Sequence, residues 1–425
     1  MPLFLELNDL GIRCYHQGEL LFQSPGVAIV DKPMLFGTDA WHASRKKPLN
    51  THCQFWSQLN TDPIHSHHPQ VRHNADLAYL HLQHIESQLP INFADQEVIF
   101  SLPGSTPRES LGLLLGIAQQ CGMNTVGLVD SALASMIRHV KDQKQWHLEM
   151  YLNHCVLTEL TLSDNRLQRT NVETFSDQGW LDLHNQLLRY FSELFIQQTR
   201  FNPRHGADSE QSLFDAIPLW LQESVNTDTL ECELEGYSIK LDTKALRQFV
   251  QNFMHPLHQQ LRHTPNLYLG DRLAQWAAIL IHPINASPVT ERETASALLT
   301  ISQQLASSPE GVRFISSLPC EAVTPVTETR PTASHLLWKH HAYPLHGHYS
   351  LSLQGDMVRG EHAQALLTLK NGVIEADAVH ADRLTLNGSA WNLDSTAQAE
   401  YPFLCGDSLR VNDLKAELMF IRVER

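Results

Sequence analysis

Two β-meanders, each followed by helix–strand alternation, and a tail of short strands predict a mixed α/β body with a small all-β domain after it. The body spans residues 1–290, a helix and linker span 291–333, and the β domain spans 334–425. At 425 residues the chain exceeds one ordinary core, because ~150 residues per domain is the usual scale.

In the first half, residues 3–7, 12–15, 20–22 and 27–30 read as short strands separated by turn residues. A polar, His- and Pro-rich stretch at 42–73 reads as irregular surface. Leu77, Leu80, Leu82, Ile85 and Leu89 then recur at an approximate helical period. Residues 97–102 (EVIFSL) form an apolar strand ended by Pro103-Gly104. Thr106, Pro107 and Glu109 mark a capping box: the hydroxyl accepts an N-terminal amide, and proline needs no donor there. That helix runs to Cys121, where Gly122 supplies the left-handed stop. A second strand (125–129) and a helix (131–139) complete a unit whose spacing implies a parallel layer.

The second meander covers 146–152, 155–162 and 167–175, and helices follow at 180–198 and 207–224. A hairpin at 230–234 and 237–241 turns at Glu235-Gly236. Asp242 caps one helix carrying Leu246, Phe249, Val250, Phe253, Leu257 and Leu261 on a single face. A short strand at 266–269 precedes Gly270. The helix at 291–306 sits in Ser-, Pro- and Thr-rich sequence that reads as a linker. Beyond it, strands are expected at 349–353, 365–369, 372–375, 383–386, 409–411 and 418–423.

Composition excludes several classes. With 46 Asp+Glu against 31 Lys+Arg, the formal charge of −15 disfavours nucleic acid or anionic lipid as a partner. The seven cysteines include no C-x-x-C pair and fit a reducing cytosol, so a cytoplasmic location is expected. No window approaches the ~18–20 apolar residues of a membrane span. G-x-S-x-G, P-loop and H-E-x-x-H motifs are absent. His65, His67, His68 and His73 form one cluster, and His340, His341, His346 and His348 another. Neither has a cysteine or carboxylate at ligand spacing, and solvated loops are the expectation.

The order of elements resembles the superfamily of actins, sugar kinases and heat-shock chaperone ATPase domains. Asn8-Asp9-Leu10-Gly11 matches its phosphate-contacting turn, and 97–135 its strand–Pro–helix–strand stretch. Residues 146–198 match its second half, 230–242 with the following helix its helical-plus-hairpin subdomain, and Tyr268-Leu269-Gly270-Asp271 its adenosine turn. The resemblance implies a two-lobed actin-like fold. It also implies ATP or ADP with magnesium between the lobes, gripped by two hairpin turns. It casts Asp9 as the magnesium-side carboxylate and Gly11 as the close-approach glycine. Asp130 becomes the carboxylate near the attacking water, and Gly270 the adenosine-side glycine.

At the second turn the chain departs from the family. Tyr151, Asn153, His154 and Cys155 stand where the family has an Asp and a run of glycines, and their side chains would fill phosphate space. Asp271 replaces the second glycine of the adenosine turn. One oxyanion-type donor is worth ~2.7–4 kcal/mol of transition-state stabilisation, so losing a whole turn removes competent phosphoryl transfer. The expectation is a degenerate site without catalytic residues, holding either no cofactor or ATP or ADP with magnesium, in a non-hydrolysing scaffold or adaptor for protein assembly. A divergent ATP-hydrolysing relative is the alternative.

In the tail, Arg359-Gly360-Glu361-His362-Ala363, Leu386-Asn387-Gly388 and Cys405-Gly406-Asp407-Ser408-Leu409 loosely resemble a forkhead-associated domain. A protein-binding β-sandwich is expected there, with phosphopeptide recognition left open.

Overall fold

The computed structural model describes residues 2–320 apart from 67, 141–142, 263, 283 and 306–311. It also describes 333–423 apart from 353, 361–364, 371–372, 377–383, 387–388, 391–397, 401–402, 404, 406–407 and 412–415. The chain divides into two compact units, Met1–Val323 and Thr324–Arg425.

The first unit is mixed α/β. It opens with β1 (Leu3–Glu6), β2 (Ile12–His16) and β3 (Glu19–Ser24), then a minor sheet of β4 (Ala28–Ile29), β5 (Leu35–Phe36) and β6 (Thr51–His52), with α1 (Gly37–Trp41) inserted. Next come α2 (Asn74–Gln88), β7 (Glu97–Leu102), α3 (Arg108–Gln120), β8 (Asn124–Asp130) and α4 (Ser131–Met136). The second half runs β9 (Lys144–Met150), β10 (His154–Ser163), β11 (Arg166–Ser176), α5 (Trp180–Thr199) and α6 (Ala207–Glu223). It continues through the hairpin β12 (Thr229–Leu234) and β13 (Tyr237–Asp242) to α7 (Thr243–Phe253), α8 (His255–Leu261) and β14 (Leu267–Leu269). Short helices α9 (Asp271–Ala274) and α10 (Ala277–Leu280), β15 (Ser287–Pro288), α11 (Glu291–Leu305), β16 (Phe314–Ile315) and β17 (Ser317–Pro319) complete it.

Both large sheets follow one scheme. The first has the order β16-β8-β7-β1-β2-β3, with β1–β3 antiparallel and β7, β8 and β16 continuing parallel to β1. In the second, ordered β15-β14-β9-β10-β11-β17, the meander β9–β11 is antiparallel and β14 and β15 run parallel to β9. Strand β1 is buried on both faces: Leu3 and Leu5 join one core cluster and Phe4 another. That explains the consecutive apolar residues Leu3, Phe4 and Leu5, since a strand covered on both sides does not alternate. Helices α4 and α11 share a core with both sheets, where Leu133, Met136, Leu298 and Ile301 pack with Phe4, Val129, Leu160 and Leu167.

Three expectations are corrected. The helix expected at 291–306 is present as α11, but the linker reading of the stretch around it is not: α11, β16 and β17 belong to the first unit. Strand β16 pairs with β8 and β17 with β11, so each large sheet gains an edge strand there. Residues 321–332 lie outside the described residues. The helix expected after Asp242 is two helices parted at Met254, with a proline at the start of α8, where it needs no donor. Thr106 does not cap α3; its hydroxyl donates to the Pro103 carbonyl, and Pro107 takes the cap position.

Over its described residues the second unit is all-β, with one six-stranded and one five-stranded sheet. Leu336, Trp338, Leu351, Leu367, Leu369, Leu409, Leu418 and Phe420 form its core. Of the motif residues singled out there, 361–363, 387–388 and 406–407 lie outside the described residues.

Candidate functional site: a junction of two hairpin turns

The turn Asn8–Gly11 follows directly on β1 and folds tightly, the Gly11 amide donating to the Asn8 carbonyl at 2.9 Å. Asp9 is 3% exposed. Its Oδ1 accepts the backbone N–H of Leu152 at 2.8 Å, and the Asn8 side-chain amide donates to the Met150 carbonyl at 2.9 Å. The first hairpin turn is thus bonded directly to the second. Burial pushes the Asp9 carboxyl up to about 7 despite the amide it accepts. Its Oδ2 has no partner among the described residues.

The second turn is equally committed. Tyr151 N–H donates to the His154 carbonyl at 2.9 Å, closing the turn, and the two rings stack with centroids 4.7 Å apart. The first amides of α5 do not point at open space: Trp180 N–H donates to the Tyr151 carbonyl (2.9 Å) and Leu181 N–H to the Leu152 carbonyl (2.7 Å). A Cβ on Gly179 would overlap the Leu152 carbonyl, so only glycine admits this contact.

Beneath the first turn lies a buried charge cluster that sequence reasoning missed. Arg272, 3% exposed, forks onto Glu6 with two bonds of 2.9 Å and donates to the Gly11 carbonyl at 2.7 Å. Arg13 meets Asp271 at 2.6 Å. Burial works against the Glu6 charge, yet the Arg272 guanidinium holds its carboxyl below the usual range. Glu149 faces the same cluster, and burial raises it to about 8. The available signal was a lone acid within each apolar run, Glu6 in LFLEL and Glu149 in WHLEM.

The four expected site residues therefore have other tasks. Asp9 and Gly11 sit at the closed junction. Gly270 is the point against which the Glu149 carboxylate packs, and a Cβ there would overlap it. Asp130 is fully buried, caps α4 through the Ala132 amide at 2.9 Å and pairs with Arg169 at 2.8 Å. Arg169 also donates to the Gly104 carbonyl at 2.9 Å, which ties the Pro103-Gly104 turn to the same carboxylate.

A cavity of about 90 Å³ adjoins this junction, lined by Asp9, Tyr151, His154, Trp56, Pro103 and Thr106 among others. It is smaller than the ~150 Å³ that accommodates a single benzene ring. Triphosphate with magnesium does not fit these groups: the amides of Tyr151 and Leu152 are taken, and both Asp130 oxygens are bonded. Among the described residues no group of three or more His, Cys, Asp or Glu side chains could hold a metal ion. His67 lies outside the described residues.

No protein-family model matches the chain, and no curated protein matches it. Among the described residues no helix is long and apolar enough to cross a membrane.

Proposed function

We propose that this chain is a non-hydrolysing scaffold for protein assembly, built on an actin- and chaperone-type ATPase body with a degenerate nucleotide site. Support for the two-lobed ancestry comes from the strand scheme repeated in both sheets and the helix–hairpin insertion between α5 and β14. One observation carries the functional reading: the Asp9 carboxylate is bonded to the Leu152 amide, where two separate hairpins would have to grip phosphate. Seven cysteines, none of them in a disulfide, support a cytoplasmic location. The all-β unit is the partner-recruiting element of this reading, and the partner is a protein rather than nucleic acid.

The unpartnered Asp9 Oδ2 beside a cavity favours the second reading, a divergent ATP-binding protein. Thermal unfolding titrated with Mg-ATP and Mg-ADP decides between them. The scaffold leaves the midpoint unchanged up to millimolar nucleotide. A rise of several degrees that Asp9→Ala abolishes establishes the ATP-binding reading instead.

A further inference from the structure

The hairpin β12–β13 is a two-stranded ribbon, separate from both large sheets. One face is buried: Cys232, Leu234, Ile239 and Leu241 belong to the core shared with Phe195 and Trp220. Glu235 and Gly236 both have positive φ, 49° and 80°, as a two-residue turn matching strand twist requires.

That turn fixes which backbone groups point where. Leu234 pairs with Tyr237 across it, so Leu234, Cys232 and Leu230 exchange bonds with β13. Glu231 and Glu233 consequently turn their N–H and C=O away from β13. On the other strand, Lys240 faces outward in the same manner, and there the edge is sealed. The Gln198 side chain donates to the Lys240 carbonyl and accepts the Lys240 amide, both at 2.9 Å, as a neighbouring strand would. No such seal covers β12: among the described residues, neither the N–H nor the C=O of Glu231 or Glu233 has a partner.

Ribbons of two strands are marginal, and open edges are ordinarily blunted. This one is blunted on one side only. The open side carries exposed Glu231, Glu233 and Glu235, with Lys240 as the nearby cation on the exposed face. Ser238 Oγ donates to one Glu231 carboxylate oxygen at 2.8 Å, which holds that charge on the exposed face.

We infer that the outer edge of β12 is a docking edge for an extended, basic segment of a partner protein, added as a third strand. Main-chain bonds to Glu231 and Glu233 supply affinity, and lysine or arginine at alternate positions of the segment meets the two carboxylates. Binding here is independent of whether the cleft takes nucleotide, so either result leaves the other standing.

The test uses the full chain and a short fluorescein-labelled peptide of alternating lysine and valine, followed by anisotropy at physiological salt. Saturable binding is expected, with hydrogen exchange at the Glu231 and Glu233 amides slowed by the peptide. Glu233→Pro removes the outward donor without touching the β12–β13 pairs, because that N–H is not used in the ribbon. It should weaken binding about tenfold or more while thermal unfolding stays unchanged. Should the variant fail to fold, amide exchange in the wild type still decides. Absence of saturable binding overturns the inference, as does unaltered exchange at both amides. Binding that survives Glu233→Pro yet vanishes with Glu231→Lys/Glu233→Lys reduces it to bare charge attraction and overturns it too. An alternating glutamate–valine peptide that binds equally well overturns the basic specificity.

Discussion

The Asp9 carboxylate and the Leu152 backbone amide, 143 positions apart in sequence, meet at 2.8 Å and join the ends of two separate meanders. A carboxylate accepting a buried backbone N–H is a strong, short-range clamp. It ties the turn after β1 to the turn after β9.

Burial of Asp9 makes stability depend on pH in a defined direction, which the Leu152 bond opposes but does not cancel. The Asp9 carboxyl is raised from 3.8 to about 7 in the folded state, chiefly by burial. Between those values the folded protein holds a proton that the unfolded chain has released. Stability from this group is therefore full in acid and falls as pH rises toward about 7. Every tenfold difference in proton affinity between the folded and unfolded chain corresponds to about 1.4 kcal/mol. Denaturant unfolding from pH 4 to pH 8 should show Asp9→Asn gaining on the wild type as pH rises, because the amide has no proton to lose. Parallel pH profiles for the two proteins would contradict the assignment.

Arg272 and Glu6 form a buried fork whose halves depend on one another. Arg272→Met strands the Glu6 carboxylate and should cost about 3–5 kcal/mol in urea unfolding. Adding Glu6→Gln should recover a large part of that loss, since the second variant removes the stranded charge. Additive losses in the double variant would show that the two groups do not interact.

Gly270 is required by the side chain pressed against it, Glu149. Gly270→Ala should lower the unfolding midpoint by several degrees, and Glu149→Ala placed in the same chain should suppress the defect. Failure of suppression would assign the glycine to backbone needs instead.

Asp130 acts as a structural group in two bonds. Asp130→Asn keeps an acceptor for the Ala132 amide and loses the charge opposite Arg169, whereas Asp130→Ala loses both. Loss of a cap alone is worth about 0.5–2 kcal/mol, so the alanine variant should be the less stable by roughly that amount in thermal or urea unfolding. Equal stability of the two would remove the capping role.

Much of the architecture was legible locally. The turn at Glu235-Gly236 and the cap at Asp242 announce themselves through residues whose backbone or side-chain preferences are strong. The parallel pairing of β7 and β8 follows from spacing alone, since one helix must cross between them. Strands β16 and β17 were not legible: each has two or three residues and exists because an edge of a sheet is there to pair with. At the site, the four named residues lie at turns and strand ends that the meander pattern reveals. Arg272 and Glu149 escaped notice because their partners are distant in sequence, and only the fold brings β1, β9 and the turn after β14 together. Asp130 was read as the carboxylate near an attacking water because nothing local discloses that Arg169, on β11, reaches back to it.

Hydrogen exchange at the single amide of Leu152 tests the bonded junction of the two turns most directly. With the Asp9 bond in place, that amide should exchange slowly in the free protein, unaltered by millimolar Mg-ATP, and should become fast in Asp9→Ala. Rapid exchange in the free protein that slows when Mg-ATP is added would contradict it, because the amide would then be waiting for phosphate rather than held by Asp9.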